Sequence, residues 1–202
     1  MTTTRNPDQT RATLLDAAFE EIFEHGFQGM RVDDVLARAG LKKGAFYHHF
    51  ESKQALGYAV LNEIIGGFIG KRWTEGMVQG EDPIQALEDV IDKMVSYAQP
   101  GKPFCGCPLN NVAQEMAPLD AGFQERIEQL FEGWIGVIAE AFARGQENGT
   151  IRKGIDPHGV AMFVVAAIEG CVGLTKASQD PGTFTQCREQ LSGYLGTLRP
   201  TP

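Results

Sequence analysis

Apolar residues recur at every third or fourth position along almost the whole chain, with polar residues between them, and this spacing predicts amphipathic helices. Leu14, Leu15, Ala18, Phe19, Ile22 and Phe23 define a first helix that starts at Asn6-Pro7 and stops at His25-Gly26. Val32, Val35, Leu36 and Ala39 make a short second helix ended by Gly40. A third runs from Gly44 to Phe50, with Ala45 or Phe46 and Phe50 turned inward. From Ser52 a longer helix passes through Leu56, Val60, Ile64 and Phe68 toward Trp73. Gly66, Gly67 and Gly70 each cost it about 1 kcal/mol of propensity relative to alanine, so a bend or frayed end is expected there. Glycines and prolines then cut the remainder into helices at about 83–98, 108–117, 120–148, 157–178 and 183–198, with GKPFCGC and ENGTIRKGID as loops. No alternating run is long enough for a strand. The pattern is all-α, with about nine helices.

Charge narrows the function. The 202 residues carry a formal net charge of -8, with an isoelectric point near 5.0. That balance excludes a surface that coats nucleic acid or anionic lipid throughout, so any contact with a polyanion is local. No apolar run is read as reaching the roughly 20 residues needed to cross a bilayer, and MTTTRNPDQTR has no signal-peptide core. A cytoplasmic protein with no membrane partner is expected. Cys105, Cys107, Cys171 and Cys187 are too few and too unevenly spaced for a disulfide scaffold, and thiols are expected.

The stretch GLKKGAFYHHFESK concentrates chemistry. His48 and His49 are adjacent, so on a helix they point in different directions, and a metal site would want a spacing of three or four and a third ligand. A catalytic relay lacks an identifiable partner. Nucleic-acid binding uses all the residues together. Arg38, Lys42, Lys43 and Lys53 against Glu51 leave a local balance of +3 in an otherwise acidic chain. Three short helices with a glycine turn between the second and third make a helix-turn-helix pattern. The start of its last helix enters the major groove, while lysines, tyrosine hydroxyls and histidine nitrogens at the edges hold phosphates.

Gly26-Phe27, Val32-x-Asp34-Val35, Ala39-Gly40-Leu41 and Gly44-Ala45-Phe46-Tyr47-His48-His49-Phe50, followed by Lys53 and Leu56, resemble the N-terminal DNA-binding domain of the TetR/AcrR family of bacterial regulators. The resemblance implies a homodimeric repressor of double-stranded operator DNA, released by a small molecule. It divides the chain into a helix-turn-helix domain at 1–54 and a helical ligand-binding and dimerisation domain at 55–202. Carried over by position, it makes Lys42, Lys43 and Ala45 the residues facing base edges, and Tyr47, His48 and Lys53 those facing phosphates. Two positions depart from the family. Met30-Arg31 and Lys42 stand where hydroxyl caps are common, at a cost of about 1 kcal/mol each, and Arg31 is a substitute phosphate contact.

KPFCGCPLNNVAQEM is the second informative stretch. Pro108 suits the first position of a helix, which makes Cys107 its N-cap, where the helix dipole favours the thiolate. The stretch resembles a branch of the family with Gly-Cys before the sixth helix, some members of which sense electrophiles or oxidants through cysteine. Cys107 is thus either a sensor or a small packed residue, with Cys105 beside it. The two make too few ligands for a metal site and too short a loop for an unstrained disulfide. Phe104, Asn111, Trp134 and Phe163 are candidates to line an effector pocket, or else core residues. Ala161, Ala166, Ala167, Gly170 and Gly173 suit close packing of the last two helices against a second copy. No cofactor and no catalytic group is expected. The rival reading is a cysteine-dependent enzyme or small-molecule carrier, against which stand the missing base, GxSxG, HExxH and phosphate-binding glycine loop.

Overall fold

The computed structural model describes residues 6–78, 81–95 and 103–200. In chain order the helices are α1 (Pro7–Gly29), α2 (Val32–Ala39), α3 (Lys43–His49), α4 (Lys53–Ala59), a π-helical turn (Val60–Ile65), α5 (Gly66–Val78), α6 (Pro83–Val95), α7 (Pro108–Met116), α8 (Ala121–Asn148), α9 (Pro157–Ser178) and α10 (Pro181–Gly196). Among the described residues there is no strand, only an isolated bridge between Lys153 and Ile155. The all-α class and the helix-turn-helix followed by a larger helical region are as the spacing predicts. The expected end of the 83–98 helix at Ala98 lies outside the described residues.

Local chemistry explains the boundaries. Asn6, Ser52, Asp156 and Asp180 each cap a helix by accepting a backbone N–H through the side chain, and Pro7, Pro157 and Pro181 occupy first turns, where no amide donor is needed. Gly40 ends α2 in the left-handed region, at φ 62°. Two expectations shift. The first helix does not stop at Gly26: it breaks there, at φ 77° and ψ 163°, and resumes for one turn to Gly29. The long helix beginning at Lys53 is interrupted before its glycines rather than at them, by the π turn.

The chain forms two compact units, one of residues 1–68 with 108–128, the other of 69–107 with 129–202. In the first, Leu14, Ala18, Val35, Phe46, Leu56 and Phe123 are among the residues that fill the core. It is closely packed at Gly57, where an added Cβ would stand 2.4 Å from the Phe27 ring and 2.8 Å from that of Phe123. The second unit is built on Trp73, Leu87, Ile138, Phe142, Val164 and Leu195. Its helix α9 corrects the reading that no segment reaches membrane-spanning length: by length and composition this helix does. One side of it is buried against the protein, through Val164, Ile168 and Val172.

Candidate functional site

Helix α3 is held by a single deeply buried side chain, Phe46, with the Phe50 ring 6.1 Å away. Arg11 covers the edge of that cluster, its guanidinium 5.3 Å from the Phe50 centroid, and is fixed there by two 2.6 Å hydrogen bonds to Glu63. With Phe46 and Phe50 inward, the helix turns Lys42, Lys43, Gly44, Tyr47 and His48 to solvent. Tyr47 is 62% exposed although its ring packs edge-on against Phe46 at 5.1 Å. Ala45 is half-buried on the same short helix, and Arg31 is exposed just before α2.

Neither Arg31 nor Lys42 caps its helix through a side chain, as the missing hydroxyls lead one to expect. Asp33 and Asp34 in the first turn of α2 complement its dipole instead. His48 and His49 stack edge to face at 4.9 Å. Among the described residues no third ligand joins them in a compact set. The one such set is Glu21, Glu24 and His25.

The cationic patch is less uniform than its composition. Arg38 is taken up by α1, donating to Glu21 and Glu20 at 2.8 Å and to Glu24 at 2.7 Å, and these carboxylates raise its pKa. It ties α2 to α1 rather than adding to the free charge. Lys43 pairs with Asp33 at 3.2 Å, with both side chains largely exposed, an arrangement that costs little to exchange for another anion. Lys53 is half-buried: its ammonium donates to the Gln28 carbonyl at 3.1 Å and lies 4.9 Å from the Phe27 centroid, and desolvation there lowers its pKa.

The candidate effector residues are dispersed. Asn111 belongs to the first unit, and Phe104, Cys105, Cys107, Trp134 and Phe163 to the second. Helix α7 begins at Pro108, so Cys107 stands immediately before its first turn. The cysteine loop is tied down by a residue that periodicity does not reveal. Gln179, left-handed at φ 54° after α9, accepts from Phe104 N–H at 2.9 Å and donates to the Phe104 carbonyl at 3.1 Å. Trp134 is 3% exposed and lies 4.7 Å from Trp73, centroid to centroid; its buried indole N–H meets no acceptor among the described residues. Phe163 lies on the outer face of α9, 53% exposed, with its ring against Tyr194 at 4.9 Å. The four cysteines are thiols. Burial, with Cys187 beside it, pushes the Cys171 thiol up to about 12, which makes it unreactive packing.

Glu115 on α7 and the pair Tyr58–Asp120 also escaped the sequence reading. Asp120 accepts the Tyr58 hydroxyl at 2.7 Å and caps the start of α8 through Phe123 N–H at 3.0 Å. Each joins residues dozens of positions apart, a distance at which helical spacing carries no signal.

Known proteins bear on this arrangement. Residues 14–60 match the model of bacterial regulatory proteins of the tetR family, and residues 83–191 match the tetracyclin repressor-like C-terminal domain. The HTH-type transcriptional repressor DhaR of Mycobacterium sp. strain GP1 is 29% identical over 92% of this chain and 88% of its own length. Escherichia coli NemR, also an HTH-type transcriptional repressor, is 29% identical over 69% of this chain and 70% of its own. The crystal structure of E. coli NemR in its reduced form superposes with a TM-score of 0.85 at 25% identity, covering 96% of this chain and 98% of that one. A helix-turn-helix with a polar, cationic α3 face, followed by a matching C-terminal domain, makes this chain a member of the TetR family of DNA-binding transcriptional regulators.

Proposed function

We propose that the chain is a homodimeric repressor that leaves a palindromic operator when a small molecule or thiol-reactive electrophile reaches its C-terminal domain. The α3 face carries this reading: Lys42, Lys43, Tyr47 and His48 are exposed together on a helix anchored from behind by Phe46. Residues 1–54 act as the DNA-binding module and 55–202 as the effector and dimerisation module. Lys42 and Lys43 read guanine edges and Ala45 packs on a thymine methyl, while Arg31, Tyr47, His48 and Lys53 hold phosphates. Lys53 reaches a phosphate by giving up its bond to the Gln28 carbonyl. The protein acts by binding rather than turnover, in the cytoplasm where its DNA is.

Two observations support the remaining parts. The outer face of α9 exposes Met162, Phe163, Ala166, Gly170, Gly173 and Leu174 in one helical stripe, which suits a two-fold contact with the same helix of a second copy and explains its apolar length without a bilayer. Effector binding is supported by Cys107 at the start of α7, where a thiolate gains from the helix dipole. The buried Trp134 N–H, with no acceptor among the described residues, suits a ligand carbonyl. Phe104, Asn111 and Cys105 are the further effector candidates, and Phe163 serves the interface.

The test is a fluorescence-anisotropy titration against the chain's own upstream intergenic DNA across salt, with and without N-ethylmaleimide. Selective binding is expected, with log K falling by about 0.9 per phosphate contact for each decade of salt. N-ethylmaleimide should release the DNA, and Cys107→Ser should keep the binding but lose the release. Release that persists in Cys107→Ser removes this cysteine from the mechanism, and binding blind to sequence removes the operator.

A further inference from the structure

Helix α1 is broken at Gly26, and what mends the break comes from 88 residues away in sequence. Because the helix restarts after Gly26, the amides of Phe27 and Gln28 point along the axis with no carbonyl of the preceding turn to receive them. The Glu115 carboxylate of α7 takes both, Oε2 from Phe27 N–H at 2.8 Å and Oε1 from Gln28 N–H at 2.7 Å. An added Cβ on Gly26 would lie 3.0 Å from Glu115 Oε2, so glycine serves the positive φ and the close approach together.

The gripped turn is held from its other end as well. Before DNA is bound, Lys53 Nζ donates to the Gln28 carbonyl and covers the Phe27 ring, and Phe27 is buried against Phe123 at 4.5 Å. Met30 N–H returns to the Gly26 carbonyl at 3.0 Å, and the residue after Met30, Arg31, accepts Asp34 N–H at 3.0 Å and Val35 N–H at 3.1 Å on its carbonyl to open α2. The turn gripped by the α7 carboxylate is therefore one peptide bond, Met30–Arg31, from the first turn of the helix-turn-helix. Glu115 stands two helical turns beyond Cys107 and Pro108. A carboxylate with two charge-assisted bonds transmits displacement better than an apolar contact, because it resists sliding in direction as well as distance.

We propose that Glu115 is a positioning residue for DNA binding: its carboxylate holds the Gly26–Met30 turn, and through it α2, in the setting from which α3 meets DNA. The proposal rests on the repressor reading for its output, but the grip itself is measurable without DNA. The full chain and its Glu115→Gln variant are compared by amide hydrogen exchange, thermal melting and anisotropy.

Glutamine turns an NH₂ donor toward one of the two amides, so exchange at Phe27 and Gln28 should quicken at least about tenfold while amides of α9 keep their rates. DNA affinity should fall roughly tenfold with an unchanged salt slope, since no phosphate contact is removed. Unchanged exchange at Phe27 and Gln28 overturns the proposal, as does faster exchange with full affinity. A general rise in exchange with a lower melting temperature overturns it too, by reducing Glu115 to a cap for the fold. Should the unaltered chain fail to select its upstream DNA, the operator assignment falls separately, and the same tenfold loss is then sought on nonspecific duplex at low salt.

Discussion

Two helices of this protein offer their outer faces to solvent with opposite chemistry. α3 has seven residues, a single buried side chain and an exposed face of lysine, tyrosine and histidine. α9 has 22 residues, buries eight of them, and exposes methionine, phenylalanine, leucine, alanine and glycine. Amphipathic logic accounts for the inner face of both and for neither outer one. A polar outer face on a barely anchored helix fits a partner that supplies its own charge and shape, as a DNA groove does. An apolar outer face on a heavily anchored helix fits a partner as rigid and apolar as itself. If α3 is the recognition surface and α9 the assembly surface, as proposed, the two differ in how deeply the helix beneath is rooted as well as in which side chains it shows.

The difference in anchoring predicts the largest effect. Phe46→Ala removes the one deeply buried side chain of α3 and should cost about 3–5 kcal/mol in urea denaturation, with DNA binding lost. Ile168→Val on α9 deletes a single methylene and should cost only about 1 kcal/mol, with the seven other buried residues keeping that helix in place. Equal costs would break the contrast between the two helices.

The outer stripe of α9 gives the next. Met162 is 47% exposed, so Met162→Glu should leave the stability of the single chain within about 0.5 kcal/mol. Two-fold symmetry would bring the two new carboxylates into one apolar interface and weaken the dimer on the order of a hundredfold. Light scattering across a dilution series reads the mass directly. A dimer that survives the substitution places the assembly surface elsewhere.

Legibility in the sequence follows the same division. Helix periods, the starts at Asn6 and Ser52 and the stop at Gly40 are local chemistry that the chain announces, whereas the last helix starts at Pro181 behind the Asp180 cap, two residues before the expected Thr183. The outward set on α3 follows from placing Phe46 and Phe50 inward. By composition Arg38 adds to the free charge, because the three glutamates that take it lie 14 to 18 positions earlier, on another helix. Gly26 has the local signature of a helix end, because nothing local shows that a carboxylate 88 residues on caps a restart. The small residues of α9 are legible only in part: Ala166, Gly170 and Gly173 lie on its exposed side as expected, but Ala161 is buried, because an apolar helix can bury any side and only the packing of Val164, Ile168 and Val172 shows which is left. Side chains that answer a local need can be read from spacing, whereas those that answer a distant one cannot.

Tyr58 and Asp120 give the smallest and most specific test of such a distant tie. The hydrogen bond from Tyr58 holds the Asp120 carboxyl below the ordinary carboxylate range, helped by Phe123 N–H, and the same bond raises the Tyr58 phenol. Asp120 is more acidic in the folded chain than in the unfolded one, so its contribution is present above the unfolded pKa and is lost as pH falls through the folded value. Tyr58 contributes in the opposite sense, up to the unfolded phenol pKa, and its share is lost as pH rises through the folded one. Tyr58→Phe should therefore move the Asp120 titration, followed by carboxyl-carbon NMR, upward toward the ordinary range. It should also lower stability modestly between those limits, leaving the difference from the unaltered chain to vanish in acid. A titration of Asp120 that does not move would mean that the helix-capping amide, rather than the phenol, sets its acidity, and that this link between α4 and the start of α8 carries no charge-dependent stability.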